Sequence, residues 1–263
     1  MPSLEPAQLI LLAVAAMVAG AVNAVAGGGS LVSFPALLAV GYPALTANVT
    51  NSVALTPGYL GGTVGYRREL AGQRARALAL GATSATGAVV GAVLLLVSSP
   101  ALFERIVPFL IFLACALLAV QTRLARLVRE RRGSAGRLAL AGPGGDRHTV
   151  PLFAAQFLAA VYGAYFGAGV GIMMLAILGI FLSDTLQRLN ALKGLLSLLV
   201  SVVAAAWFAL FADVSWVAVA VMAAASLLGG QLGVLLARRL NDQVLRWLVV
   251  AFGVAVGMRL LLA

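Results

Sequence analysis

An apolar run covering residues 7–40 is interrupted once, at Ala26-Gly27-Gly28-Gly29-Ser30, and a similar interruption, Ala168-Gly169-Val170-Gly171, returns in the second half of the chain. Glycine lowers helix stability by about 1 kcal/mol relative to alanine, so three in succession stop a helix. The surroundings decide what such a stop means. A chain of 263 residues with 62% apolar content, 10% charge and a mean hydropathy of +1.06 is a polytopic membrane protein. Backbone released from helical hydrogen bonds cannot face lipid, so each break must be buried in protein or line a cavity. Both breaks are therefore candidate parts of a binding site.

Six apolar runs are long enough to span, at 47–66, 78–97, 102–120, 189–211, 214–237 and 244–262; the run at 151–166 leads into the second break and continues through 182, and the piece at 31–40, with Pro35 inside it, reaches about half of the hydrocarbon core. Gly81, Gly87 and Gly91 recur on nearby turns of one run, a spacing that lets helix backbones approach closely. Residues 123–149 hold seven arginines among glycines and read as a basic cytoplasmic linker between a first transmembrane repeat, 1–122, and a second, 150–263. The net charge of +10 lies in short connections rather than on one amphipathic face, which marks topology and argues against nucleic acid as a partner. The first run has no basic segment before it and is expected to be retained. Cys115 is the only cysteine and His148 the only histidine, so no disulfide, thiolate cluster or triad can form within the chain, and no cofactor is expected. No Walker motif is present, and no carboxylate pair or histidine lies inside a span to support an intramembrane enzyme.

The second half repeats the first. An offset of 142 places Ala26, Gly27 and Gly29 on Ala168, Gly169 and Gly171, Asn48 on Asn190, Asn51 on Lys193, and Gly87 and Gly91 on Gly229 and Gly233. Basic residues choose between two arrangements of the halves. If 7–26 crosses fully, the halves are parallel, and Arg105, Arg188, Lys193, Arg238, Arg239 and Arg246 lie outside. If 7–40 is a hairpin folded at the glycines, the halves are inverted and only Arg105 and Arg259 of the 18 basic residues lie outside. The expected fold is thus an all-α, polytopic transmembrane helix bundle of two repeated, inverted halves, each a Gly-broken helix or hairpin plus three spanning helices.

Where a broken helix restarts, its first N–H groups lack partners and its dipole is partly positive. Two such ends meeting at the midplane would favour an anion, as in transporters built from repeats. Asn48 and Asn51 share one helix face, and the repeat replaces them with Asn190 and Lys193. A charge within a span costs about 2.5–3.5 kcal/mol on insertion scales, so Lys193 is expected to face protein or to snorkel to the inner surface beside Asp184 and Arg188. The candidate substrate-binding set is Gly27, Gly28, Gly29, Ser30, Asn48, Asn51, Gly169, Gly171, Asn190 and Lys193. The partners expected are a small anion and the lipid bilayer; proton coupling and a homo-oligomer are left open.

Ala26-Gly27-Gly28-Gly29-Ser30 followed by Phe34-Pro35-Ala36-Leu37 and Ala47-Asn48-Val49-Thr50-Asn51-Ser52 resembles the first signature of the sulfite exporter TauE/SafE family of membrane permeases. Residues Tyr162 to Gly171, followed by Arg188-Leu189-Asn190-Ala191-Leu192-Lys193, are similar to the second, with Val170 standing where the first half has Gly28. The resemblance covers nearly the whole chain outside the basic linker. It implies a multi-pass plasma-membrane secondary transporter for small anions, often sulfur oxyanions such as sulfite or organosulfonates, working by alternating access. A passive anion channel on the same scaffold is the alternative.

Overall fold

The structure is a computed structural model, and it describes residues 4–25, 27–135, 150–236 and 242–262. Ala26, residues 136–149 of the expected linker (Arg137, Arg147 and His148 among them), and Arg238 and Arg239 lie outside the described residues. The protein is an all-α polytopic membrane bundle. Its helices are α1 (Pro6–Val25), α2 (Ser30–Ala39), α3 (Ala44–Gly65), α4 (Arg74–Val97), α5 (Pro100–Ala135), α6 (Val150–Tyr165), α7 (Val170–Phe181), α8 (Leu186–Phe211), α9 (Trp216–Leu236) and α10 (Asp242–Leu262).

Among the described residues, α1, α4, the first part of α5, α8 and α9 are long and apolar enough to cross a bilayer. Helix α3 matches them in length, but Asn48, Thr50, Asn51 and Thr63 on it are buried, so its polarity is turned inward. Helix α5 continues through Ala135, into the stretch expected to be linker. The exterior is apolar: Leu78, Val97, Leu158, Leu210 and Trp216 are all exposed. That surface suits lipid and would be unstable in water. The interior is closed by Phe34, Leu37, Leu55, Phe103, Leu118 and Phe208.

Small residues set the packing. A Cβ on Gly229 would overlap the carbonyl oxygen of Met17, one on Gly20 would overlap that of Ser226, and one on Gly233 would lie 2.6 Å from the Ala21 Cα, so α1 and α9 touch backbone to backbone and run in the same direction. Gly87 on Phe157 and Gly91 on Val161 bring α4 and α6 together in the same way. Gly58 and Gly61 place α3 alongside α9, again with matching direction. By contrast α3 and α8 run oppositely, since Thr56 meets Ser201 while Thr63, two turns later, lies beside Gly194.

The end of α2 returns to the level where α9 begins: the Tyr42 and Ser215 hydroxyls are 2.7 Å apart, and the Ser215 N–H donates to Thr50 Oγ1 at 3.1 Å. At the opposite end Asp184 receives Arg76 at 2.6 Å and Arg188 at 2.9 Å. Arg188 also donates to the Ala71 carbonyl, and Gln73 donates to the Arg188 carbonyl. Burial pulls the Asp184 carboxyl upward, but the Arg188 guanidinium, the Thr185 N–H and Arg76 outweigh it and hold it below the ordinary carboxylate value of 3.8.

Candidate functional site

Helix α1 ends in a wide turn in which the Gly27 N–H reaches the Val22 carbonyl at 3.0 Å, with Gly27 at φ 78°. The chain then reverses under a side-chain clasp, the Gly29 N–H donating to Asn23 Oδ1 at 2.7 Å. The second break has its own clasp. Tyr162 Oη donates to the Ala168 carbonyl at 2.6 Å, and Gly167 and Gly169 take φ 81° and 78°. The two breaks touch: the Gly169 N–H donates to the Gly27 carbonyl at 3.1 Å, and a Cβ on Gly27 would lie 3.0 Å from the Gly171 Cα. Gly27 is held to glycine by its left-handed backbone as well as by this contact, and a Cβ on Gly171 would crowd the Gly27 Cα at 3.2 Å.

The restarting helices use much of their own first-turn donor capacity. Leu31 donates to the Gly28 carbonyl, Val32 and Ser33 to that of Gly29, and Ile172 and Met173 to that of Gly169. The helix ends alone thus offer an anion less than the breaks suggested, and side chains must supply the rest.

One does. Lys193 sits seven residues into α8, about 10 Å along it. It is only 6% exposed, with its Cδ and Cε packed 3.6 and 3.8 Å from where a Gly171 Cβ would be. It does not join the Asp184 and Arg188 cluster at the helix start, and no carboxylate pairs with it among the described residues. Lys193 lines a cavity of about 20 Å³ together with Gly27, Gly171, Asn190, Asn23 and Tyr59. A volume of that size holds about one water molecule.

A second cavity, also about 20 Å³, lies on the other side of Tyr59 and Ser197, which line both. Ser30, Ser52, Ser201, Gly163, Phe166 and Gly167 contribute to it, and none of its lining residues is charged. Of the ten candidate residues, then, Gly27, Gly171, Asn190 and Lys193 meet in the first cavity and Ser30 lines the second. Gly28, Gly29 and Gly169 shape the breaks without lining either. Asn48 is fully buried and donates to the Tyr165 carbonyl at 2.9 Å, fastening α3 to the end of α6, while Asn51 is buried behind it.

Asn23 was not among the candidates. Its Oδ1 is committed to Gly29, which leaves Nδ2 as a buried donor without a partner. The signal available in the sequence was an amide in the last turn of an apolar helix, directly before the glycines.

Comparisons with known proteins agree with this architecture. The family model described as Sulfite exporter TauE/SafE matches residues 12–260. The chain is 26% identical over 253 residues to "Probable membrane transporter protein ORF9" of Sinorhizobium sp, covering 96% of this chain and 92% of that one. It is 28% identical over 242 residues to "Probable membrane transporter protein" of Haemophilus influenzae, covering 92% and 90%. No solved structure matches. With nearly its whole length matched and a lipid-facing bundle of interrupted and spanning helices, the chain belongs to the sulfite exporter TauE/SafE family and is a multi-pass plasma-membrane transporter, not an enzyme.

Proposed function

We propose that the protein is a secondary transporter for a small anion, a sulfur oxyanion such as sulfite or a small organosulfonate, and that the anion binds between the two glycine breaks. The observation that supports this is Lys193: a cation held 6% exposed, without a counter-charge among the described residues, on the wall of a cavity at the junction of the breaks. A buried charge without a partner is costly, and an anion would supply one. Asn190 and the Nδ2 of Asn23 add hydrogen-bond donors, and Gly27 and Gly171 let the backbone come close.

In this reading residues 1–122 and 150–263 are inverted repeats joined by a cytoplasmic linker. The shared direction of α1, α3 and α9, the return of α2 to the level of the start of α9, and the opposed α3 and α8 favour it. A cavity with room for one water is too small to load a multi-atom anion, so the conformer is the closed one of an alternating-access cycle.

Uptake of radiolabelled sulfite and of methanesulfonate into proteoliposomes, with and without a pH gradient, tests the reading. Saturable flux with counterflow is expected. Lys193→Ala removes a charged hydrogen bond and should lower apparent affinity about 10- to 100-fold. Flux without saturation or counterflow would replace the carrier by a channel; flux no faster than in empty liposomes would remove these two cargoes.

A further inference from the structure

A groove of about 810 Å³ opens at the end of the bundle where α2 stops, α3 and α5 begin and α10 finishes. It is far larger than either 20 Å³ cavity and falls within the roughly 300–1,000 Å³ of sites that hold small organic molecules. No residue lines both the groove and either cavity, so it is not a widening of the space at Lys193. Close packing of α10 stops short of it. A Cβ on Gly253 would lie 2.6 Å from Cys115 Sγ and one on Gly257 2.9 Å from Phe112 Cε1, which holds α10 against α5; past Gly257, Leu260 and Leu261 line the gap instead.

The walls are amphiphilic. Leu38, Val107, Phe109, Leu260 and Leu261 make them apolar, and the surface around them, with Leu102, Met258 and Leu262 exposed, is of the kind that faces lipid. Two charges stand among these residues. Glu104 and Arg105 both line the groove, both are exposed, and neither side chain enters an ion pair or hydrogen bond among the described residues. They come about 6–8 Å into α5, close to the end of a span rather than at its middle. The backbone adds a further acceptor: Pro108, also on the groove wall, has no N–H to give the carbonyl four residues before it, so the Glu104 carbonyl lacks its helical partner.

A guanidinium beside two acceptors, over an apolar trough, matches a zwitterionic phospholipid. The guanidinium suits the phosphate, to which it can present parallel N–H donors. Glu104 offers its carboxylate and its free carbonyl, and a primary ammonium brings N–H donors for both, whereas a trimethylammonium has none. An anionic headgroup would leave the Glu104 charge unanswered. We propose that the groove binds one phospholipid with a primary ammonium in its headgroup, a phosphatidylethanolamine, its phosphate at Arg105, its ammonium at Glu104 and an acyl chain between α5 and α10. Neither the transport reading above nor its cargo enters this proposal.

The test is thermal unfolding of the full-length protein, delipidated in detergent and titrated with phosphatidylethanolamine, phosphatidylcholine or phosphatidylglycerol of the same acyl chains. Phosphatidylethanolamine should raise the melting temperature at the lowest concentration of the three. Glu104→Gln should raise its half-saturating concentration about two- to fivefold, the scale of a partly exposed charge pair, and leave that of phosphatidylcholine unchanged. Arg105→Gln should weaken both lipids. Because the two side chains are exposed, neither replacement disturbs the packing of the bundle.

Equal shifts from the three lipids, or a phosphatidylethanolamine preference that survives Glu104→Gln, overturn the proposal. So does a phosphatidylglycerol preference abolished by Arg105→Gln, which would make the groove an anionic-lipid site. A lipid-free melting temperature that rises with protein concentration, and no longer does so in Leu261→Arg, also overturns it, by assigning the groove to a second copy of the chain.

Discussion

Gly27 and Gly28 are adjacent and chemically identical, yet their replacement should have different consequences. Gly27 has φ 78° and faces the Gly171 backbone at 3.0 Å, so an added Cβ meets both a left-handed backbone and an immovable neighbour. Gly28 faces Leu118 Cδ2 at 3.3 Å, the far end of a flexible side chain. A left-handed alanine alone costs about 1–2 kcal/mol, and Gly27→Ala should lower the melting temperature in detergent clearly more than Gly28→Ala, with loss of sulfite flux. Equal effects would mean that the two breaks do not meet as described. The glycines were legible in the sequence because their signal is local: a helix stops where they stand. Their contact was not, because the hydrogen bond from the Gly169 N–H to the Gly27 carbonyl joins residues 142 positions apart through atoms that every residue carries. Asn23 escaped notice for a related reason, since one amide in an apolar helix reads as packing until its oxygen is seen to hold Gly29. Ser30 and Lys193 read as one site, whereas Tyr59 and Ser197 part them into two cavities.

Helix by helix, the fold depends on where a Cβ is absent. Gly229→Ala would drive α1 off α9 against the Met17 carbonyl, a case of overpacking expected to cost about 1–3 kcal/mol. Gly62→Ala is the contrasting change: its Cβ would stand 3.9 Å from Ala24, an ordinary contact, and the helix gains up to about 1 kcal/mol of propensity. The first variant should melt below the wild type and the second at or above it; the reverse order would contradict the α1–α9 packing. The apolar runs predicted α4, α8 and α9 well because length and hydropathy suffice for a span. The course of α5 through Ala135 was hidden, because arginines and glycines there read as a linker although arginine is a good helix former. The inward-facing polarity of α3 was visible as composition, but its partners were not: Thr56 with Ser201 and Thr50 with Ser215 depend on tertiary placement.

At the scale of the whole molecule, one ionic cluster ties the N-terminal half of the chain to the C-terminal half. Arg76 from the first and Arg188 from the second both hold Asp184. Because the folded carboxyl titrates below its ordinary value, its contribution to stability is in full force above that value and is lost as the pH falls through it toward the lower, folded one. Asp184→Asn should therefore melt below the wild type near neutral pH, with the gap closing on acidification through the carboxylate range. A gap that is constant with pH would show that the cluster's charge is irrelevant to stability. The joint between the glycine breaks is of another kind, for nothing in it belongs to a side chain. In heritable terms, selection can see that joint through the absence of a Cβ at positions 27 and 171, while positions 190 and 193 stand beside it and are free to drift. A lineage can then exchange one cargo for another without rebuilding its hinge, and relatives with different substrates should differ at those two positions and agree at the two glycines.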